Sequence, residues 1–307
     1  MTVRSLDILD LPLLPRYRRD MLSLDSARLL TRGNPLGAVA LLSYLNPRRH
    51  LYTAVASENS NSLMGQVTLH EEETSARMTF LAPAENANEL VLPLVAHLSV
   101  QAGEWGAFHL LAEVDEDSPV FRLLRQAGFA MYAWQRVWKL PGAQEPAAGN
   151  VWRPVEATDW TAVQSLHSQI VPALIQPVDA LSKQVTGLVF RSEGNLQAYI
   201  AVSRGPKGIW LQPFVLPDSG CDPEKLAGLV SVVSDWSGQP VYVCVRSYQT
   251  WLESVLEDLG AEAGPRQAVM VKRLVKTIKE FQPAPAMEKA LAKAKTAAPV
   301  SRIEGKK

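Results

Sequence analysis

The residue types that most often carry chemistry are scattered through this sequence. Five histidines show no His-x-x-x-His spacing: His50, His70, His97, His109 and His167. The two cysteines, Cys221 and Cys244, form no Cys-x-x-Cys pair, and Gly-x-Ser-x-Gly, Gly-x-Gly-x-x-Gly and Walker sequences do not occur. The spacing therefore gives no support for a metal site or a common nucleophile site. The cysteine count indicates a reducing compartment without a disulfide framework.

Two short basic groups, residues 16–19 (Arg-Tyr-Arg-Arg) and 47–50 (Pro-Arg-Arg-His), could bind a phosphate. A solvated surface is the more common role of such groups. The formal net charge is zero, so no overall field draws the chain to nucleic acid. A hydrophobic content of 47% with 20% charged residues is typical of a globular protein.

Membrane insertion and secretion are both disfavoured by the pattern of apolar residues. The apolar run 8–14 near the N-terminus is short, and Asp10 and Pro12 interrupt it. The longest uncharged stretch, residues 160–178, contains glutamine, histidine and proline and is too polar to span a bilayer. We therefore expect a soluble cytoplasmic protein without a membrane partner.

The elements that must position any site are organised around residues 120–140. Four apolar residues recur there at helical spacing: Val120, Leu123, Leu124 and Ala127. The pattern stops at Gly128, which suits a helix C-cap because glycine adopts a positive φ without a Cβ penalty. Aromatic and β-branched residues then predict a strand. The same helix, glycine and strand order returns in residues 251–272 around Gly260.

Paired residues also mark two similar beginnings. Arg4 and Asp10 match Arg153 and Asp159 at an offset of 149 residues, whereas Gly128 and its counterpart differ by 132. A glutamine stands seven residues after each glycine, at Gln135 and Gln267. These matches predict a tandem duplication whose second unit is shorter in its middle by 149 − 132 = 17 residues.

Composition divides the chain at the Pro-, Gly- and Ala-rich residues 141–150, which we interpret as a linker. The predicted domains are residues 1–140 and 151–275, each with strands, a helix, a strand, a helix and a strand. This order indicates an α+β fold with a mixed, mostly antiparallel sheet flanked by helices. Residues 276–307 hold seven lysines and one arginine against three glutamates and predict a flexible basic tail.

The ending with Gly128-Phe129 resembles the last third of a GNAT domain, the fold of a superfamily of N-acetyltransferases. The second copy keeps Gly260 but has Ala261 after it. The element order is similar to that family from about Val3 to Leu274, so the resemblance implies two tandem GNAT-like domains. It also implies acyl transfer from an acyl-coenzyme A, normally acetyl-CoA, to the amine of a small molecule or peptide.

The family binds the pyrophosphate of acetyl-CoA where a glycine-rich loop enters a helix, because free N–H groups and the helix dipole favour an anion there. The matching loop 83–90 in the first unit has no glycine and no basic residue. The loop 217–225 in the second unit keeps one glycine among several acidic residues. The resemblance therefore gives these candidate binding residues: Val215, Ser219, Gly220, Cys221 and Lys225.

Other site residues of the family are replaced. Leu124 and Leu256 stand where a tyrosine often acts as the general acid, and neither can donate a proton. The family commonly has an asparagine eleven residues before the closing glycine, where this sequence has Asp117 in the first unit and Gln249 in the second. The resemblance further places the pantetheine near Leu81 or Val215. Proximity in sequence suggests substitutes for the missing catalytic residues, with Tyr248 as a candidate acid and Glu113 and Glu193 as candidate bases.

Three functions stay open at this point. The resemblance in fold favours an acyltransferase, whereas the replaced site residues favour a catalytically inactive GNAT-like binding or interaction scaffold. Nucleic-acid binding through the basic tail is weaker, because the predicted domains carry no basic surplus.

Overall fold

The computed structural model describes residues 1–7, 10, 14–37, 49–59, 61–70, 73–141, 151–181, 186–217, 219, 223–234 and 238–274. All but the first residue of the predicted linker, and the whole predicted tail, lie outside these ranges. Below, the first half denotes residues 1–140 and the second half residues 151–274.

The first half follows the predicted order of strands and helices. Its elements are β1 (Thr2–Ser5), α1 (Leu14–Tyr17), β2 (Leu22–Ser23), α2 (Ser26–Arg32), β3 (Arg49–Glu58), β4 (Asn61–His70), β5 (Ser75–Ala82), α3 (Val91–Glu104), β6 (His109–Asp115), α4 (Pro119–Gln126) and β7 (Ala130–Lys139). Strands β4, β5 and β6 are buried almost continuously along their length, as expected for a sheet that is covered on both faces. The short β2 and α2 were not predicted, and both matter for the site.

The second half repeats this order, without counterparts of β2 and α2 among the described residues. Its elements are β8 (Trp152–Pro154), α5 (Trp160–Ile170), β9 (Gly187–Ser192), β10 (Asn195–Arg204), β11 (Ile209–Val215), α6 (Pro223–Ser234), β12 (Val241–Arg246), α7 (Trp251–Asp258) and β13 (Glu262–Arg273). Pro223 is the first residue of α6, a position that suits proline because the first N–H groups of a helix have no partner within it.

The matched beginnings have the same geometry. The Arg4 guanidinium donates to both Asp10 carboxylate oxygens at 2.6 and 2.8 Å. Arg153 donates to both oxygens of Asp159 at 2.8 Å, and Arg191 adds a third bond there. These arginine bonds hold the pKa of each aspartate below its ordinary value. The pairs therefore fix the turn before the first helix of each half.

The two glycine endings are confirmed. Gly128 has a φ of +92° and Gly260 a φ of +74°. Phe129 N–H donates to the Leu124 carbonyl, as Ala261 N–H does to that of Leu256, at 3.0 Å each. These bonds satisfy carbonyls that the end of a helix leaves without partners.

All the strands named above belong to one continuous sheet. The short β2 lies outside the main strand order and pairs with β5. The order along the sheet is β1-β3-β4-β5-β6-β13-β7-β12-β11-β10-β9-β8. The closing strand of the second half, β13, lies between β6 and β7 of the first half, while β7 pairs with β12 of the second half. The halves thus exchange their closing strands, and the sheet is mixed and mostly antiparallel as predicted. The predicted domain boundaries stay a prediction.

Helices cover both faces of this sheet. On face 1, the apolar residues of α3 and α4 pack against the first half and those of α6 and α7 against the second. On face 2, α1 packs on the first half and α5 on the second. Helix α2 belongs to the first half by sequence but contacts β10 and β11 of the second. Side chains at paired positions share a face, so register places a row of polar residues on face 2.

Candidate functional site

Two pairs of parallel strands separate along their length. Strand β5 pairs with β6 only over Ser75–Arg77, and β11 pairs with β12 only over Ile209–Leu211. Beyond these residues the strands continue without pairing to each other in the described part of the chain. The two gaps, called slot 1 and slot 2, lie where the sequence placed a pantetheine, next to Leu81 and Val215.

Slot 1 contains a segment of the chain itself. Leu22 and Ser23 pair with β5, and the next residue bridges the two separated strands. Leu24 N–H donates to the Thr79 carbonyl at 3.0 Å, and the Leu24 carbonyl accepts from Glu113 N–H at 2.9 Å. Leu24 is only 1% exposed. Its backbone therefore takes the hydrogen-bonding groups that an extended ligand would use in this gap.

Slot 2 contains one side chain. The Gln249 amide accepts from Val215 N–H at 2.9 Å and donates to the Pro213 carbonyl at 2.8 Å. Gln249 is 1% exposed. It stands at the position where the sequence resemblance has an asparagine, so this departure from the family pattern closes the gap. The described residues of both slots therefore do not fit an acyl-CoA in this conformation.

A chain of hydrogen-bonded amides, of which Gln135 is buried and Gln267 half-buried, crosses face 2 between the slots. Gln135 Nε2 donates to Gln267 Oε1 at 2.8 Å, and Ser26 Oγ donates to the same oxygen at 3.0 Å. Cys244 Sγ donates to Gln135 Oε1 at 3.4 Å, and Gln267 Nε2 donates to Asp115 Oδ1 at 2.9 Å. Burial raises the pKa of the Cys244 thiol to about 12, so this cysteine is no nucleophile at neutral pH.

A second polar cluster lies on the second half beside slot 2. Tyr248 OH donates to Asp179 Oδ2 at 2.8 Å, and Gln212 Nε2 donates to Asp179 Oδ1 at 3.4 Å. The Nε atom of Arg246 is 3.7 Å from Asp179 Oδ2. Burial raises the pKa of Tyr248, which makes it a weaker acid than an exposed tyrosine. The sequence did not indicate Asp179 or Arg246, which stand in no recognised motif.

The structure describes three of the five predicted binding residues, Val215, Ser219 and Lys225. Val215 N–H is bonded by Gln249, and Ser219 is buried, its N–H donating to Leu216 at 3.1 Å. The Lys225 carbonyl accepts from the Trp152 indole, and its ammonium lies 6.0 Å from the Phe190 ring centre. Gly220 and Cys221 lie outside the described residues, so this set stays a prediction.

The stand-ins for acid and base also have structural roles. Glu113 is buried, and its Oε2 accepts from Ser26 N–H at 2.9 Å. Glu193 is exposed at a hairpin turn with a φ of +51°. Leu124 and Leu256 are buried in the two cores of face 1. No residue among these is placed as a general acid or base by a contact in the structure.

Over the described ranges, no group of three His, Cys, Asp or Glu residues is arranged to hold a metal ion. Within those ranges, none of the helices combines the length and the apolar character needed to cross a membrane.

Comparison with known proteins identifies the fold. A GCN5-related N-acetyltransferase from Sphaerobacter thermophilus superposes with a TM-score of 0.53 at 13% identity, covering 90% of this chain and 98% of that one. A tandem GNAT protein from the clavulanic acid biosynthesis pathway, solved without AcCoA, gives 0.52 at 17% identity, with 89% and 98% covered. The chain has the tandem GNAT fold.

A further comparison agrees at the level of fold. A Drosophila protein superposes with a TM-score of 0.52 at 16% identity, covering 90% of this chain and 99% of that one. No protein-family model and no curated protein sequence matches. Identities this low establish a shared fold, while activity has to be argued from the site.

Proposed function

We propose that this protein is a GNAT-fold binding or interaction scaffold that uses neither slot for acyl-CoA. One observation carries the proposal: both gaps between the parallel strands are filled by groups of the same chain, Leu24 in slot 1 and Gln249 in slot 2. A ligand entering either gap would have to replace buried hydrogen bonds that are already made. The internal duplication would then serve to build one long sheet rather than two catalytic centres.

The surroundings of slot 1 support the same proposal. The loop before α3 forms a short 3₁₀ turn at Ala84–Asn86, and the helix begins without a side-chain cap at Leu90. Two exposed carboxylates, Glu85 and Glu89, flank this helix start and would repel a pyrophosphate. Removing the occupant would also disturb the start of α2, because Leu24 is followed by Asp25, the N-cap of that helix. We infer that slot 1 is permanently closed.

A second candidate function is acyl transfer in the second half. The observation that favours it is that slot 2 is closed by one side chain, whereas slot 1 is closed by backbone. Rotation of Gln249 would free Val215 N–H and the Pro213 carbonyl without moving any strand. The predicted residues Ser219, Gly220, Cys221 and Lys225 would then be the ones to contact the co-substrate.

Calorimetric titration with acetyl-CoA separates these candidates. We expect no binding heat with the wild-type protein, and Gln164→Ala, at an exposed helical glutamine, serves as the matched control. Saturable binding by the wild-type protein would contradict the scaffold proposal. Binding that appears only in Gln249→Ala would support closure of slot 2 by that amide.

The location of any binding is tested by Gly220→Glu in the Gln249→Ala background. If acetyl-CoA enters the second half, the added carboxylate should weaken binding, because it places a negative charge beside a polyanion. Equal affinity of the two proteins would remove the loop at residues 217–225 as the phosphate site. Release of free coenzyme A thiol in the presence of amines then measures transfer itself.

A further inference from the structure

Arg246, the last residue of β12, is a buried cation with donors to spare. It is 4% exposed, and neither Nε nor Nη1 has a hydrogen-bond partner among the described residues. Its nearest carboxylate oxygen, Oδ2 of Asp179, is 3.7 Å from Nε, which is too long for a hydrogen bond. Leaving buried charged donors unsatisfied costs on the order of 1–3 kcal/mol or more. The site therefore calls for an additional acceptor.

The Asp179 carboxylate makes no hydrogen bond to Arg246 Nε because its two oxygens already accept hydrogen bonds from other groups. Its Oδ2 accepts from Tyr248 OH, and its Oδ1 from the Gln212 amide. Its backbone carbonyl is 2.8 Å from His167 Nε2, which holds this segment against α5. The carboxylate thus balances the charge of Arg246 at a distance without filling the planar fork of the guanidinium.

The groups that act most strongly on this guanidinium are Asp179, Tyr132, Cys244 and Tyr248. Burial raises the pKa of the two tyrosines and of the cysteine, so they are neutral near pH 7. Glu113 and Arg77 also act on Tyr132 and Cys244. An anion arriving at Arg246 would therefore meet Asp179 as its nearest competing carboxylate, together with three uncharged groups, two of which carry hydroxyl groups.

We propose that Arg246 is the anchor of a binding site for a small oxyanion, a carboxylate or phosphate group, with Asp179 as its internal competitor. The guanidinium offers parallel N–H donors that match two oxygens of such a group. A water molecule could fill one donor position but would bring no charge to the fork. The site lies beside slot 2 and does not depend on whether that slot admits acyl-CoA.

The segment that carries Asp179 lies largely at the protein surface. Residues 171–181 follow α5, and within them Leu174 is 91% exposed. The segment is held to the cluster by the bonds of Asp179 to Tyr248, Gln212 and His167. When an oxyanion binds Arg246, we expect the Asp179 carboxylate to turn away and residues 171–181 to become more mobile.

Thermal unfolding with added potassium phosphate or potassium acetate tests the site, with potassium chloride at matched ionic strength as the reference. The wild-type midpoint should rise with either anion in a saturable way, because a ligand that binds only the folded state stabilises it. Asp179→Asn removes the competitor and should bind about tenfold more tightly, the worth of one charge-assisted hydrogen bond.

The control is the double variant Arg246→Gln/Asp179→Asn, which removes both charges together and leaves no buried charge unpaired. It should fold and show no anion-specific shift. A response to one anion alone identifies the ligand as a carboxylate or a phosphate, and either result supports the site. Equal shifts in the wild-type protein and the double variant, or no shift in Asp179→Asn, would overturn the proposal.

Discussion

Gln135 Nε2 donates a 2.8 Å hydrogen bond to Oε1 of Gln267, and the two residues are 132 positions apart. That separation equals the spacing of Gly128 and Gly260, so each glutamine contacts its own counterpart in the other half. Arg136 and Arg266 form the neighbouring register pair of the same two strands. Contact between equivalent residues is the signature of a twofold relation. The halves therefore meet at β7 and β13 as two strand-exchanged subunits would.

The central amide pair should stabilise this junction. We expect Gln267→Leu to lower the free energy of unfolding by about 1–3 kcal/mol, because it leaves Ser26 and Gln135 without a buried partner. Replacing both glutamines by leucine should cost less than the sum of the single changes. Urea denaturation of the four proteins of this cycle measures the coupling, and Gln126→Leu, at an exposed position in α4, is the control. Strict additivity would contradict a direct interaction.

Stability should fall in acid partly through Asp159. Its pKa in the folded protein is lowered by hydrogen bonds from Arg153, Glu156 N–H and Arg191. A depressed carboxylate pKa gives stability that is present above the unfolded value, about 4, and is lost as the pH falls below it. Asp159→Asn should therefore cost about 2 kcal/mol at pH 7 and flatten the decline below pH 4. Denaturation measured from pH 7 to pH 3 tests this, with the exposed Asp117→Asn as the control.

Cys244 should not react with thiol reagents in the folded state. Its side chain is fully buried, and burial raises its pKa to about 12, so the thiolate fraction at pH 8 is on the order of 10⁻⁴. In a Cys221→Ser variant, a chromogenic disulfide should label one thiol only after urea unfolding. Rapid labelling of the native variant would show that the centre of the sheet opens readily.

Helix α2 should depend on a close approach to the second half. Lys207 N–H donates to the Thr31 carbonyl at 2.9 Å, and a Cβ at Gly205 would collide with that same carbonyl oxygen. Gly205→Ala should lower the free energy of unfolding by about 1–3 kcal/mol. It should also increase amide hydrogen exchange in residues 22–33. Gly228→Ala is the control, because a Cβ there meets nothing within 4 Å. Unchanged exchange would mean that α2 is held mainly by other contacts.

The C-terminal tail should be dispensable for folding. Its composition cannot bury enough apolar surface to offset an ordering cost of about 1–2 kcal/mol per residue. Deletion of residues 280–307 should leave the thermal midpoint unchanged. A decrease of several degrees would mean that the tail packs on the rest of the protein.

The sequence by itself determined the local elements and their repetition. Helical spacing before Gly128 and Gly260 predicted both closing helices, because a glycine stop and an apolar stripe are local properties. Arg4 and Arg153 likewise predicted equivalent starts, since each bonds an aspartate only six residues away. These features depend on neighbours along the chain, which is why the element order and the α+β fold were predictable.

The tertiary structure alone decided which strands pair and what fills the slots. The residue pattern of β13 does not specify which strands it pairs with. In the structure β13 pairs with β6 on one side and with β7 on the other. Nothing in the sequence marks Leu24, and Gln249 is marked only as the replacement of an asparagine. In the structure each bonds to backbone groups that the separated strands leave unpaired. The unpaired N–H groups of Arg246 depend on the position of Asp179, whose carboxylate comes from a segment distant in sequence and lies 3.7 Å from Arg246 Nε. Such relations depend on non-local packing and on hydrogen-bond satisfaction, which residue spacing does not encode.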